Sequence, residues 1–369
     1  MTRFVSSIFS RFFRLLYPRT CVVCGDVSVN GELFVYSAGL SGLPLTEGVD
    51  EEADKVLADD LGIEHLYWLF RYDRASDFHK YCAAYYSDTG IQKETNQDSL
   101  LLVQRGQTQD DEAVLAVICD GVGGLKMGER SSAAVVTAFR DWFYKRVLKL
   151  YVQETPETEL FDDWDNLIQS LHIRLKDNSE KAGFRSGTTV EAVLFMKGRY
   201  YICHVGDCRT YIISDTLTQL TTDHTIVQRE LTEGKLTPEQ ARKDSRQSIL
   251  LQCVGAGKDV KPDYLSGDVL PHRTFLICCD GFRRKVTEAE IKKSCRYSSK
   301  EKKLHEALEE TAQLCMKRKE TDNITGILIS AVGEKKGLFP LWKKATQTAG
   351  KKVIKDILLE HSTPADKIL

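Results

Sequence analysis

The chain has 369 residues, 42% of them hydrophobic and 28% charged, a balance that excludes a disordered, collagen-like or fibrous protein. At roughly 150 residues per domain it has room for one large domain with extensions, or for two domains. The 51 Lys and Arg against 53 Asp and Glu leave a net charge of -2, so bulk charge gives no reason to expect nucleic-acid binding, and no apolar run reaches the ~18 to 20 residues that span a bilayer.

The first 25 residues carry Arg3, Arg11, Arg14 and Arg19 and no acid. Apolar pairs Phe4-Val5, Ile8-Phe9, Phe12-Phe13 and Leu15-Leu16 recur every three to four residues, which predicts an amphipathic basic helix ending before Pro18. Such a helix lies on an anionic membrane surface or packs on the chain's own body or a partner, the second being the commoner outcome. Residues 26–79 form a segment of unassigned role. Its acidic run (Asp50, Glu51, Glu52, Asp54, Asp59, Asp60) reads as a solvated face, and an aromatic cluster follows at Tyr67, Trp68, Phe70 and Tyr72. Cys21-x-x-Cys24 resembles half a zinc knuckle that His79-x-x-Cys82 could complete, but the gap is long and these cysteines read as unligated. The 11 cysteines are odd in number, scattered, and often inside apolar runs; with no cleavable signal peptide evident, a reduced, cytoplasmic chain is expected.

Residues 80–333 alternate strand-length apolar runs with long amphipathic stretches at 131–154, 162–182 and 299–318, so strands and helices are mixed. The tail, 334–369, places eight lysines around Leu338, Phe339, Leu341 and Trp342. It reads as a second basic amphipathic segment, either a surface helix or a peripheral membrane contact.

The chemistry sits where apolar runs meet aspartate. Val114 to Cys119 ends at Asp120-Gly121, Tyr200 to Val205 at Gly206-Asp207, and Phe275 to Cys279 at Asp280-Gly281, while Asp322-Asn323 opens Ile324 to Ile329. Carboxylates at the tips of buried strands can converge along one edge of a sheet. In a partly dry site they repel unless a cation lies between them, and oxygen ligands select a hard ion such as Mg²⁺ or Mn²⁺. A single Asp-Gly would be only a turn; four at strand tips favour a shared site. The loop Asp120 to Glu129 fits neither phosphate-binding pattern: GxGxxG would need glycine at Lys126, and GxxxxGK[ST] would need lysine at Glu129. Its glycines allow a tight path that could turn the Gly121 carbonyl toward a metal.

Seven ordered motifs carry a family resemblance. They are Asp88-x-Gly90-x-x-Lys93-x-x-Asn96-Gln97-Asp98-Ser99, Asp120-Gly121-Val-Gly-Gly124 with Gly128-Glu129, Ser186-Gly-Thr-Thr189, Val205-Gly-Asp-Cys-Arg209, Leu220-Thr-Thr-Asp-His224, Cys279-Asp-Gly281 and Thr321-Asp-Asn-Ile324. Residues 80–333 thereby resemble the metal-dependent serine/threonine phosphatases of the PPM (type 2C) family, bacterial branch. The resemblance implies an α+β fold, a four-layer αββα sandwich of two antiparallel sheets flanked by helices, and a flap between His224 and Gly255. It implies that Asp120 bridges two metals, Gly121 offers its carbonyl, Asp280 and Asp322 complete the first metal, Asp98 lies behind them, and Asp207 holds a third, weaker metal. Two Mn²⁺ or Mg²⁺ ions ~3.5 to 4 Å apart would activate a bridging hydroxide for in-line attack on phosphorus, with no covalent phosphoenzyme.

Two departures matter. Lys93 stands where most relatives have the arginine that grips substrate phosphate; it keeps the charge and loses the bidentate fork, a loss that Arg283 or Arg284 could offset. Val122 and Leu125 stand where some relatives place a histidine, leaving protonation of the leaving group to metal-bound water or to His224, the latter more often a structural histidine. The expected partners are phosphoproteins and a cognate serine/threonine kinase; no nucleic acid is expected, and the chain is expected to be a monomer. The competing expectation is a catalytically weak phosphoprotein-binding or scaffold module, suggested by Lys93 and the basic ends.

Overall fold

The computed structural model describes residues 33–35, 67–70, 81–105, 112–122, 127–152 and 156–332. The expected N-terminal helix, the Cys21, Cys24 and His79 positions and the basic tail lie outside the described residues.

One sheet takes its strands in the order β1 (Leu33–Val35), β2 (Tyr67–Phe70), β4 (Ser99–Arg105), β5 (Ala113–Cys119), β6 (Val190–Met196), β7 (Arg199–Val205) and β10 (Asp263–Asp268). The other runs β3 (Tyr81–Asp88), β12 (Ile324–Ala331), β11 (Thr274–Cys278), β8 (Arg209–Ile213) and β9 (Leu217–Gln219). Every pairing is antiparallel as expected, save one at the margin: β2 lies parallel to β4. The segment 26–79 thus lends two short strands to the sheet edge.

Period-two patterning explains why the sheets stack. In β5, Val114, Ala116 and Ile118 join the core shared with the second sheet, and Ala113, Leu115, Val117 and Cys119 join a core shared with helices α1 (Gly128–Val152) and α2 (Glu157–Lys181). Both faces are buried, so the strand reads as a continuous apolar run. Trp164 of α2 meets Phe139 and Trp142 of α1 edge-on, with centroids 5.9 and 5.3 Å apart. Beyond the second sheet, α7 (Glu301–Lys317) buries Leu304, Ala307, Leu308, Ala312 and Cys315, an i, i+3/i+4 stripe. The layers are therefore helix, sheet, sheet, helix. The predicted long helices at 131–154, 162–182 and 299–318 correspond to α1, α2 and α7, displaced by a few residues at their ends.

The register places one end of the sandwich in common. Ser99 pairs with Cys119, Val190 with Val205, Cys278 with both Gly326 and Arg209, and Ile324 with Asp88. The turns just past these residues all leave from that end. They include α5 (Asp280–Arg283) after β11, which α6 (Glu288–Ser294) follows, while α3 (Ile226–Thr232) and α4 (Pro238–Lys243) fill the expected flap region.

Phe195 of β6 and Phe275 of β11 meet edge-on across the sheets at 4.8 Å. Phe275→Ala is expected to cost about 3–5 kcal/mol in urea unfolding; a loss under about 1 kcal/mol would mean that the two sheets do not depend on this contact.

Candidate active site

Asp98 directly precedes β4, Asp120 directly follows β5, Asp207 follows β7 by two residues, Asp280 opens α5 just after β11, and Asp322 stands two residues before β12. All belong to the shared end, which the strand-tip reading requires.

Backbone contacts fix the two Asp-Gly corners. The Asp120 amide donates to Thr189 Oγ1 (2.9 Å), and its carbonyl accepts from the Thr189 amide and Thr188 Oγ1, both at 2.9 Å. Gly121 has no room for a side chain: a Cβ would lie 2.7 Å from the Gln97 carbonyl oxygen and 2.6 Å from the Gly128 carbonyl carbon. Its amide donates to that Gln97 oxygen at 3.1 Å, which ties the start of β4 to the end of β5. At Gly281 a Cβ would fall 2.1 Å from the Asn323 carbonyl oxygen, so the Asp280 corner packs directly on the Asp322 corner. Glycine is required at both corners by close approach, beyond its turn-forming role. Asn323 completes the frame. Its Nδ2 donates to the carbonyls of Thr89 (3.0 Å) and Thr95 (3.2 Å), and its Oδ1 accepts from the Gln97 amide (2.9 Å), pinning the loop that carries Lys93 and Asp98.

The charges are arranged around these corners. Asp98 is fully buried, and its carboxyl is pushed up to about 6, chiefly by desolvation and further by Asp322, against hydrogen bonds from Thr325 and Cys279. Asp120 is held well above the usual carboxylate range by desolvation first and then by Asp98, Asp207 and Asp322. Asp207 is also raised by desolvation, with Arg283 opposing. Lying at the same end of the sandwich, these acids raise one another. Asp280 and Asp322 are paired with protein cations: Arg284 donates to Asp280 Oδ2 and lies 3.8 Å from Asp322 Oδ2, while Lys93 Nζ is 3.1 Å from Asp322 Oδ1. Among the described residues no three His, Cys, Asp or Glu side chains are gathered to hold a metal ion as they stand. The donor set nevertheless suits a hard divalent ion, because it is all carboxylate, and Asp280 Oδ1 is buried with no hydrogen-bond partner.

Glu320, Asp223 and Arg209 take part although the sequence assigned them no role of their own. Buried Glu320 accepts from the amides of Thr321 (2.9 Å) and Asp322 (3.1 Å) and from Arg284 Nη1 (3.3 Å). Arg283 does not face the acids of the Asp280 corner; it donates to the Asp207 carbonyl (2.9 Å) and to Asp223 (3.3 Å), which Arg209 grips with two bonds of 2.6 and 2.7 Å. Asp207 is thus braced from behind. His224 is engaged structurally: Nε2 is 3.1 Å from Asp263, Nδ1 accepts from Gln252 (2.8 Å), and its ring lies 4.6 Å from that of His204. Desolvation, with His204 assisting, lowers its pKa, as befits a neutral ring in a packed corner. Adjacency of opposite charges in the chain, Asp280 with Arg283-Arg284, was the only signal of these networks.

A family model described as protein phosphatase 2C matches residues 91–325. The serine/threonine protein phosphatase PstP of Mycobacterium tuberculosis is 26% identical over 251 residues, 67% of this chain and 44% of that protein, so this chain spans less than half of that relative. Among solved structures, the serine/threonine phosphatase Stp1 from Staphylococcus aureus superposes with a TM-score of 0.59 at 25% identity, covering 71% of this chain and 100% of the other. The catalytic domain of PstP in complex with 2 manganese ions gives 0.54 at 24% identity, covering 69% and 99%, and bears on the fold alone. The chain belongs to the protein phosphatase 2C family.

The raised Asp98 pKa has a defined sign. The folded, metal-free chain keeps a proton that the unfolded chain, near 3.8, has lost, so this contribution to stability is complete below pH ~4 and disappears as pH rises through about 6. In EDTA, Asp98→Asn should therefore lose less stability than the parent between pH 4 and 6.5, by at most about 3 kcal/mol in urea unfolding. Parallel pH profiles would contradict the burial of this carboxyl.

Proposed function

We propose that this protein is a metal-dependent phosphatase that removes phosphate from phosphoserine and phosphothreonine in proteins. The observation that carries the proposal is the gathering of Asp98, Asp120, Asp207, Asp280 and Asp322 at one end of a 2C-family sandwich. Asp120 and the Gly121 carbonyl, with Asp280 and Asp322, would hold two Mn²⁺ or Mg²⁺ ions, and Asp207 a third. Bound there, the ions would supply Lewis acidity that lowers the pKa of a water and neutralises charge on the phosphate oxygens.

The remaining work falls to the chain. Lys93, half-buried at the rim, would exchange its contact with Asp322 for a substrate phosphate oxygen, as a point charge without a fork. Asp98, fully buried behind Asp120, would orient it, each carboxyl acting on the other's charge. A thiol nucleophile has no support among the described residues: Cys119, Cys208 and Cys279, the thiols nearest the acids, are buried and pushed well above their ordinary pKa by desolvation. The partners of this reading are phosphoproteins and the serine/threonine kinase that writes them, with the chain acting as a monomer. Among the described residues no helix is long and apolar enough to cross a membrane; peripheral membrane contact would rest on the two termini.

The cation pairs at Asp280 and Asp322 favour one second reading, a scaffold of the same fold with little turnover. Hydrolysis of p-nitrophenyl phosphate separates the two. Turnover that requires Mn²⁺, stops with EDTA, and drops at least ~100-fold in Asp120→Asn supports the phosphatase; no turnover at any Mn²⁺ concentration supports the scaffold. With a phosphothreonine peptide, Lys93→Ala should raise KM about tenfold while Lys93→Arg should keep or improve it. A KM unchanged in Lys93→Ala would remove Lys93 from phosphate binding.

A further inference from the structure

Arg284 stands where the acid cluster meets α5. It follows Asp280 by four residues, so one helical turn lays its guanidinium over the Asp280 carboxylate. It donates to Asp280 Oδ2 and to Glu320 Oε1 at 3.3 Å, and it lies 3.8 Å from Asp322 Oδ2. Acids from two separate segments thus share one monovalent cation. The arrangement leaves Asp280 Oδ1 buried with no hydrogen-bond partner, and the same is true of Glu320 Oε2. Buried acceptors left over beside a guanidinium that already serves three acids mark a position that the arginine fills only in part.

We propose that Arg284 is an internal competitor for the divalent ion: its guanidinium and a metal bind the same Asp280 and Asp322 carboxylates, and one must leave before the other enters. The inference rests on the phosphatase reading of the site. A carboxylate that coordinates Mn²⁺ or Mg²⁺ brings the ion to about 2.0–2.2 Å, and a guanidinium still held on that carboxylate would face a double positive charge within a few ångströms. Only molecules in which Arg284 has swung clear accept the metal, so the apparent affinity falls by the fraction that is clear. The exit is open, since the Arg284 side chain is 27% exposed while the Asp280 side chain beneath it is 9% exposed. In the metal-free chain, Arg284 holds the repelling acids together. As metal rises, it sets the free-ion level at which the site loads.

Isothermal titration of the full chain and of Arg284→Gln with MnCl₂ after removal of metal by EDTA tests this. Arg284→Gln should bind Mn²⁺ at least about tenfold more tightly and should show a lower Tm in EDTA and a larger rise in Tm on adding Mn²⁺. Equal or weaker Mn²⁺ binding by the variant overturns the competition and leaves the phosphatase reading intact; absence of Mn²⁺ binding by both chains overturns both. Should the variant fail to fold, the parent decides. The ¹⁵N side-chain resonance of Arg284, protected in EDTA, should move and exchange with solvent when Mg²⁺ is added, and a resonance unchanged at saturating Mg²⁺ overturns the proposal.

Discussion

Carboxylates crowded into a partly dry corner repel one another, and this repulsion organises the functional end of the molecule. Desolvation and mutual charge push Asp98, Asp120 and Asp207 away from ionisation, while Asp280 and Asp322 stay paired with Arg284 and Lys93. Such a cluster is a cost in a metal-free fold, eased by protons and protein cations. The cost makes sense if the acids are kept for ions of higher charge, which ease the same repulsion and bring chemistry with them.

The rest of the sandwich holds that strained end in place. Apolar strands buried on both faces make the two sheets rigid, and their antiparallel register brings five loop corners to one side. Close backbone approach then fixes the corners: Gly121 against Gln97, Gly281 against Asn323, and the Asn323 side chain across to Thr89, Thr95 and Gln97. A second charged layer, Arg209 and Arg283 on Asp223, braces the Asp207 turn. Function-bearing side chains therefore ride on backbone with little freedom to drift.

Much of this was legible because it is local. The β-rich runs ending in Asp120, Asp207 and Asp280 declare strand tips by their own composition, and the stripe in α7 declares a helix by its period. The seven ordered motifs carried the family. What stayed hidden depends on tertiary approach. β10, with the sequence DYLSGD, is polar, carries no strand signature, and becomes a strand by pairing with β7. The strands at 33–35 and 67–70 lie in a segment whose sequence suggested no sheet. Arg283 and Arg284 are neighbours of like charge, yet successive helical positions diverge, so one braces Asp207 and the other covers Asp280. His224, whose position in the sequence reads more often as a structural histidine than as a proton donor, is held by Asp263 and Gln252.

The central claim is that these acids exist to bind a pair of divalent ions. Anomalous scattering at the manganese edge from a crystal grown with MnCl₂ tests it most directly. The account predicts two peaks about 3.5–4 Å apart, bounded by Asp120, Asp280 and Asp322, with Arg284 displaced from Asp280. Absence of a peak at that end of the sandwich, with Arg284 still seated on Asp280, would contradict it.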